Sequence, residues 1–377
     1  MKRIGVLTGG GDAPGLNAAI KAVVYRAIDF GIETLAVWEG WSGLMEDNWK
    51  EASPLDYLTV RTWDRDGGTN LGSSRTNPFS IRKNNGKNGE EPEDRSDEAI
   101  ANIEKLGLDG LVAMGGEDTL GVAARLSQKG VPVVGVPKTI DKDLLGTDYT
   151  LGFDTAVNNL KDMIERSRTS AGSHRWVQIV EAMGRHAGHL AFWGGVAGAA
   201  TIILVPECTF RFERIREVIE ERFARGKKDH RFPRYAVICA SEGAIAEDGE
   251  VTTANAEVDA FGHVKLGGLG ERLGNYVRTN TEYDARVLVP AHSQRGGSPS
   301  SVDRMMGTLF GFAAVDLLVA GKSSRMVSAQ GVAPGVRITD VPIVDVLDGL
   351  CLLDIDRLYD RERMNINRGH YEGCDPE

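Results

Sequence analysis

The stretch from Gly110 to Asp143, GLVAMGGEDTLGVAARLSQKGVPVVGVPKTIDKD, decides the fold. It opens on one apolar run of strand length, Gly110–Ala113, and closes on another, Val131–Val136. Between them Thr119–Gln128 sets Leu120, Ala123 and Ala124 at helical spacing. Strand, helix and strand in that order make a crossover unit with its two strands parallel. Each strand ends in a polar loop, Gly115-Gly-Glu-Asp-Thr119 and Pro137-Lys-Thr-Ile-Asp-Lys-Asp143.

The same alternation extends in both directions. Ile4–Leu7, Leu35–Val37, Val177–Val180, Thr201–Val205, Ala236–Ala240 and Val287–Val289 read as strands. Ala18–Ile28, Asp97–Leu106, Thr155–Thr169, Arg211–Arg225 and Met305–Leu318 carry helical periodicity. The expectation is a doubly wound α/β fold, with mainly parallel sheets flanked by helices. Ligands of such sheets sit beyond the carboxyl ends of the strands. There the sequence places Gly9–Gly11, Gly115–Asp118 and Lys138–Asp143, read as three successive strand-to-helix loops.

A length of 377 residues, at roughly 150 per domain, predicts two or three domains. Lys and Arg number 44 against 54 Asp and Glu, a net charge of −10 that repels polyanions and excludes nucleic acid as a partner. The cysteines 208, 239, 351 and 374 form neither a CxxC pair nor a zinc-ligand spacing, which fits a reducing compartment. No 18-residue apolar run and no signal-peptide pattern occurs, so a cytoplasmic chain without a membrane span is expected. Asn84–Glu98 and Gly226–Arg234 read as solvated surface loops, and Arg361–Glu377 as a weakly ordered polar tail.

Thr8-Gly-Gly-Gly-Asp-Ala-Pro-Gly15 follows a strand and precedes a helix, where backbone N–H groups and the helix terminus attract phosphate. Its spacing is neither GxGxxG nor the P-loop, which argues against a dinucleotide-binding redox enzyme. Gly67-Gly-Thr-Asn-Leu-Gly-Ser-Ser-Arg75 is a second glycine loop, ending in a guanidinium suited to phosphoryl oxygens. Glu117, Asp118, Asp141 and Asp143 fall on adjacent loops, so four carboxylates are expected together, with a divalent cation between them and one acid left as a base. Helix N-capping is the structural alternative for these acids.

These motifs, with Met183-Gly-Arg-His-Ala-Gly188, Ser241-Glu-Gly243 and His292-Ser-Gln-Arg-Gly-Gly297, resemble in order and spacing the 6-phosphofructokinase superfamily over about residues 1–330. The likeness is to its bacterial, actinobacterial-like, pyrophosphate-dependent members. The resemblance implies a donor-binding α/β domain, residues 1–152 plus 294–344, and a sugar-phosphate-binding α/β domain, residues 153–293 plus 345–377. It implies Asp141 as general base, Thr139 and Arg185 holding the transferred phosphoryl, and Gly11, Arg75, Asp118 and Lys138 on the donor. Met183, Gly184, Glu242, Arg286, His292 and Arg295 match the sugar-binding set, with Thr139, Asp141 and Arg185 shared, and Glu117 and Asp143 match the Mg2+ acids. The partners implied are pyrophosphate and fructose 6-phosphate, in a homo-oligomer, dimer or tetramer, whose site crosses an interface.

Several positions depart from, or divide, the family pattern. Asp118 stands where ATP-using relatives have glycine, and its carboxylate opposes a third phosphate, so pyrophosphate is the expected donor and ATP the alternative. Glu117 replaces a common Asp, and Lys142 stands in place of Asn. Trp176 occupies the position of an arginine that reaches the 6-phosphate. Another ketose phosphate, such as sedoheptulose 7-phosphate, is therefore an alternative acceptor.

Overall fold

The computed structural model describes residues 1–81, 92–249, 253–258, 264–332 and 334–367. In chain order its strands are β1 Arg3–Thr8, β2 Glu33–Ala36, β3 Ser53–Leu55, β4 Gly110–Gly115, β5 Val133–Pro137, β6 Val177–Ala182, β7 Ile202–Leu204, β8 Ala236–Ser241, β9 Thr253–Val258, β10 Val264–Leu266, β11 Ala285–Leu288, β12 Arg325–Gln330, β13 Arg337–Pro342, β14 Tyr359–Asp360 and β15 Asn365–Ile366. Its α-helices are α1 Leu16–Asp29, α2 Tyr57–Val60, α3 Ser96–Lys105, α4 Glu117–Gln128, α5 Phe153–His174, α6 His189–Ala197, α7 Phe212–Lys228, α8 Leu269–Asn280, α9 Ser301–Val319 and α10 Ile355–Leu358. Residues 84–91 of the expected first surface loop and 368–377 of the expected tail lie outside the described residues.

The chain divides into two compact units, the first built mainly from Met1–Thr155 and Arg295–Leu350, the second from Ala156–Glu257, Val264–Gln294 and Cys351 onward. The first unit holds a seven-stranded sheet in the order β13-β12-β5-β4-β1-β2-β3. Its middle strands run parallel. β13 and β3 close the two edges antiparallel. β4 and β5 are buried along their whole length, which is why they read as unbroken apolar runs. Leu16, Ile20 and Val23 of α1 join Met306, Phe310 and Ala314 of α9 in one core cluster. Ile103 of α3 and Leu120 and Ala124 of α4 belong to a second, with Leu111 and Val133 of the sheet.

α9 meets α1 almost backbone to backbone. A Cβ on Gly307 would lie 2.7 Å from the Gly15 carbonyl oxygen, and one on Gly311 2.5 Å from that of Ala19. Only glycine permits that approach, which fixes the helix that starts at the first glycine loop.

The second unit has a four-stranded sheet, order β11-β6-β8-β7, with all strands parallel. The doubly wound α/β expectation holds. α6 was not anticipated, because HLAFWGGVA has no polar face to give it a period.

One local expectation needs correction. Glu117 and Asp118 are not in a loop but form the first turn of α4, with Gly116 as its N-cap. The connection after β5 is a long strand-to-helix loop, Lys138–Gly152, which turns at Lys142, Gly146 and Gly152, all with positive φ, before α5 begins. Trp176 immediately precedes β6, and Arg175 before it has φ 64°. Their backbone N–H groups both donate to the Ala171 carbonyl and end α5.

Candidate active site

In the first unit the glycine loops are tied to the sheet ends by backbone and hydroxyl contacts. Gly9 N–H donates to the Met114 carbonyl at 2.9 Å and Gly10 N–H to that of Ser74 at 3.0 Å. The Thr8 hydroxyl meets the Thr69 hydroxyl at 2.8 Å and donates to the Gly72 carbonyl at 2.7 Å. The loops after β1 and α2 therefore form one scaffold, with Gly11 partly open and Arg75 exposed at its rim.

Lys138 lies 4% exposed at the end of β5, its N–H donating to the Gly115 carbonyl at 3.0 Å and its Nζ to that of Gly11. Burial, with the Arg295 charge beside it, pushes its ammonium down to about 7. Arg295 comes from the far end of the chain. A Cβ on Gly11 would fall 1.7 Å from its Nη1, so the guanidinium rests on the glycine backbone.

Asp141 is 8% exposed, and its N–H donates to the Thr139 hydroxyl at 3.1 Å. Burial pushes the Asp143 carboxyl up to about 7, with Asp141 and then Glu117 adding repulsion, while the Thr139 hydroxyl bonds to it and opposes the rise. Lys142 separates the two aspartates at φ 57°, a left-handed conformation that Asn adopts more readily than Lys. Its Nζ lies 5.6 Å from the centre of the Phe153 ring. The expected gathering of four carboxylates is not found. Among the described residues no three His, Cys, Asp or Glu side chains cluster closely enough to hold a metal ion, since Glu117 is exposed on α4 while Asp141 is buried in the next loop. Asp143 and Glu117 remain acids in electrostatic contact. A crowded pair of this kind suits Mg2+, which takes one or two carboxylates and fills its shell with water and phosphate oxygens.

The loop carrying Asp141 is anchored by a residue that the motifs did not single out. Asp303 of α9 is fully buried and accepts from the Tyr149 hydroxyl and Gly152 N–H at 2.7 Å each, from Thr155 N–H at 2.9 Å and from the Thr155 hydroxyl. The Thr150 hydroxyl then donates to the Thr139 carbonyl at 2.7 Å, so the chain of contacts reaches Asp141. The one local signal was S-x-x-D at Ser300–Asp303, a helix-cap pattern, and Ser300 Oγ does accept the Asp303 N–H.

In the second unit Met183, Gly184, Arg185 and Glu242 sit at the carboxyl ends of neighbouring β6 and β8. Arg185 has φ 28°, its N–H donates to Glu242 Oε1 at 3.4 Å, and its carbonyl packs on Gly243. Met183 N–H donates to Oε1 of Gln294, a fully buried residue of the His292–Gly297 motif that had been given no role of its own. His292 is exposed in the short helix Ala291–Arg295. Arg286 is exposed on β11, paired with Asp284 at 2.8 Å and 5.4 Å from the centre of the Trp176 ring. Trp176 in turn stacks on His174, the ring centres 4.7 Å apart and the planes 4° from parallel. Arg295, like Thr139 and Asp141, belongs to the first unit.

Glycine loops, a buried lysine, an arginine and paired acids at parallel-strand ends can bind and transfer a phosphoryl group. The chain matches the family described as Phosphofructokinase over residues 3–318. It is 47% identical over 331 residues to the pyrophosphate–fructose 6-phosphate 1-phosphotransferase of Dictyoglomus thermophilum, covering 87% of this chain and 90% of that one. To ATP-dependent 6-phosphofructokinase 3 of Streptomyces coelicolor it is 39% identical over 349 residues, covering 92% and 94%. The crystal structure of pyrophosphate-dependent phosphofructokinase from Marinobacter aquaeolei superposes with a TM-score of 0.78 at 22% identity, covering 98% of this chain and 89% of that one, which speaks for the fold. The chain belongs to the phosphofructokinase family.

Proposed function

We infer that this chain transfers a phosphoryl group reversibly from pyrophosphate to the 1-hydroxyl of fructose 6-phosphate, giving fructose 1,6-bisphosphate and phosphate, a step of glycolysis and gluconeogenesis. The observation that carries the donor assignment is the first turn of α4. Asp118 places a carboxylate on the helix end that would otherwise attract a nucleotide's further phosphate. Repulsion between unit charges about 5 Å apart at an effective dielectric of about 20 is roughly 3 kcal/mol, some 10²-fold against ATP.

In this reading the first unit, taken as residues 1–152 with 294–344, holds the donor through Gly11, Arg75, Asp118 and Lys138. The second, 153–293 with 345–377, holds the sugar phosphate through Met183, Gly184, Arg185, Glu242 and His292, with Arg286 entering from a neighbouring copy in a cytoplasmic homo-oligomer. Asp141 takes the hydroxyl proton as the oxygen attacks. Thr139 and Arg185 orient the moving phosphoryl, and the cations hold its charge as the bond to the leaving phosphate breaks. Mg2+ beside Glu117 and Asp143 would neutralise phosphoryl charge. Trp176, beside Arg286, stands where the resemblance has a second arginine, so another ketose phosphate such as sedoheptulose 7-phosphate is the alternative acceptor.

The test is a coupled assay with fructose 6-phosphate and Mg2+, comparing pyrophosphate with ATP in the wild type and in Asp118→Gly. The expected result is pyrophosphate preference that weakens in the variant. A wild type faster with ATP overturns the donor assignment.

A further inference from the structure

Arg185 is held in a backbone conformation that few side chains adopt. Its φ is 28°, it follows Gly184 at φ 132°, and the turn closes where the Ala187 N–H donates to the Gly184 carbonyl at 2.8 Å. Such a conformation persists only where its surroundings fix it. On one side the Glu242 carboxylate accepts the Arg185 N–H. On the other the fixing group is Glu207, from the loop after β7. Its Oε1 accepts the Gly188 N–H and the Leu353 N–H at 2.8 Å each, and a Cβ on Gly188 would lie 2.6 Å from its Oε2. The carboxylate thus rests on the residue that caps α6, at the positive end of that helix. Leu353 is itself buried, and the His189 Nε2 meets the Cys351 carbonyl at 3.0 Å, so the brace is anchored at both ends. Oε2 is buried with no hydrogen-bond partner among the described residues, a cost that an apolar side chain packed in the same place would avoid.

We propose that Glu207 is a positioning residue for phosphoryl transfer, bracing the Met183–Gly188 turn so that the Arg185 guanidinium meets the moving phosphoryl. This rests on the role given to Arg185 above and holds for either donor. Glu207 acts through Arg185 and does not itself touch substrate. Without the two N–H groups gathered on one oxygen, the end of the turn is released and Arg185 relaxes from its strained φ. A misplacement of about 1 Å is enough to cost about 10²-fold in turnover.

Turnover is measured for the wild type, Glu207→Ala, Arg185→Ala and the double variant, with whichever of pyrophosphate and ATP the wild type uses faster. Glu207→Asp, which withdraws the oxygens by one methylene, serves should Glu207→Ala fail to fold, folding being checked by circular dichroism. The expected result is kcat at least about tenfold lower in Glu207→Ala, with the same substitution costing less than about twofold once Arg185 is gone. A merely structural glutamate would lower kcat by the same factor in both backgrounds. That result, or an unchanged kcat in the folded variant, overturns the proposal. Wild-type kcat in Arg185→Ala alone refutes the role of Arg185 and the proposal with it. A wild type faster with ATP breaks the donor reading alone, since the same four proteins are then compared with ATP and still decide Glu207.

Discussion

Replacing Lys138 with Met should make the protein more stable and less able to use its donor. The ammonium is buried at 4% exposure and held down to about 7 from its ordinary 10.5. At about 1.36 kcal/mol per pH unit, the charge is disfavoured in the folded chain by roughly 5 kcal/mol. Methionine removes that penalty together with the hydrogen bond to Gly11, itself worth about 1–2 kcal/mol. The net gain at neutral pH is about 3 kcal/mol, or roughly 6–12 °C in Tm for a unit of this size. The sign of the pH dependence follows from the lowered value. Between pH 7 and 10.5 the unfolded chain binds more protons at this site than the folded one, so wild-type stability rises with pH there. The gap between variant and wild type is therefore full below pH 7 and shrinks toward pH 10. Calorimetric unfolding at pH 6.5, 8 and 9.5, with KM for pyrophosphate at each, checks both halves. A variant less stable than wild type at pH 6.5, or a gap that widens with pH, would refute the reasoning.

Asp141→Asn should lower kcat by about 10²–10⁴ with KM for fructose 6-phosphate little changed, the usual worth of a positioned base, and near wild-type kcat in a folded sample would remove Asp141 from that role. Asp303→Ala strands the donors from Tyr149, Gly152 and Thr155 and should destabilise by about 3–5 kcal/mol in urea unfolding; a loss below about 1 kcal/mol would show that the anchor is dispensable.

The parts of this structure legible in the sequence were those written locally. β4, α4 and β5 could be read because strands buried on both faces are continuous apolar runs, and because the loops at their ends carry residues that serve no core. α6 escaped because an apolar helix with no solvent face has no period, and the edge strand β3 because only three residues define it. Asp303 escaped for another reason. Its donors lie about 150 residues away, and a lone acid in a helical first turn looks like any cap. Arg295 on Gly11 joins residues 284 positions apart, and no spacing rule carries such a contact. The φ of Lys142 gives a physical reason for the family's Asn there. A short amide tolerates the left-handed conformation, and the longer lysine adopts it at a cost of about 1 kcal/mol or more.

The closeness of α9 to α1 also sets a timetable. Leu16, Ile20 and Val23 are among the first residues made, while Met306 and Phe310, their partners in the same core, follow about 290 residues later. At roughly 5–20 residues per second, the apolar side of α1 waits some 15–60 s on the ribosome for its cover. The second unit waits about half as long, because the Tyr359 hydroxyl, which closes onto the Ile203 carbonyl, follows it by 156 residues. Each half is thus fastened by a late-made clasp, and a chain cut before Ser301 would leave both halves open.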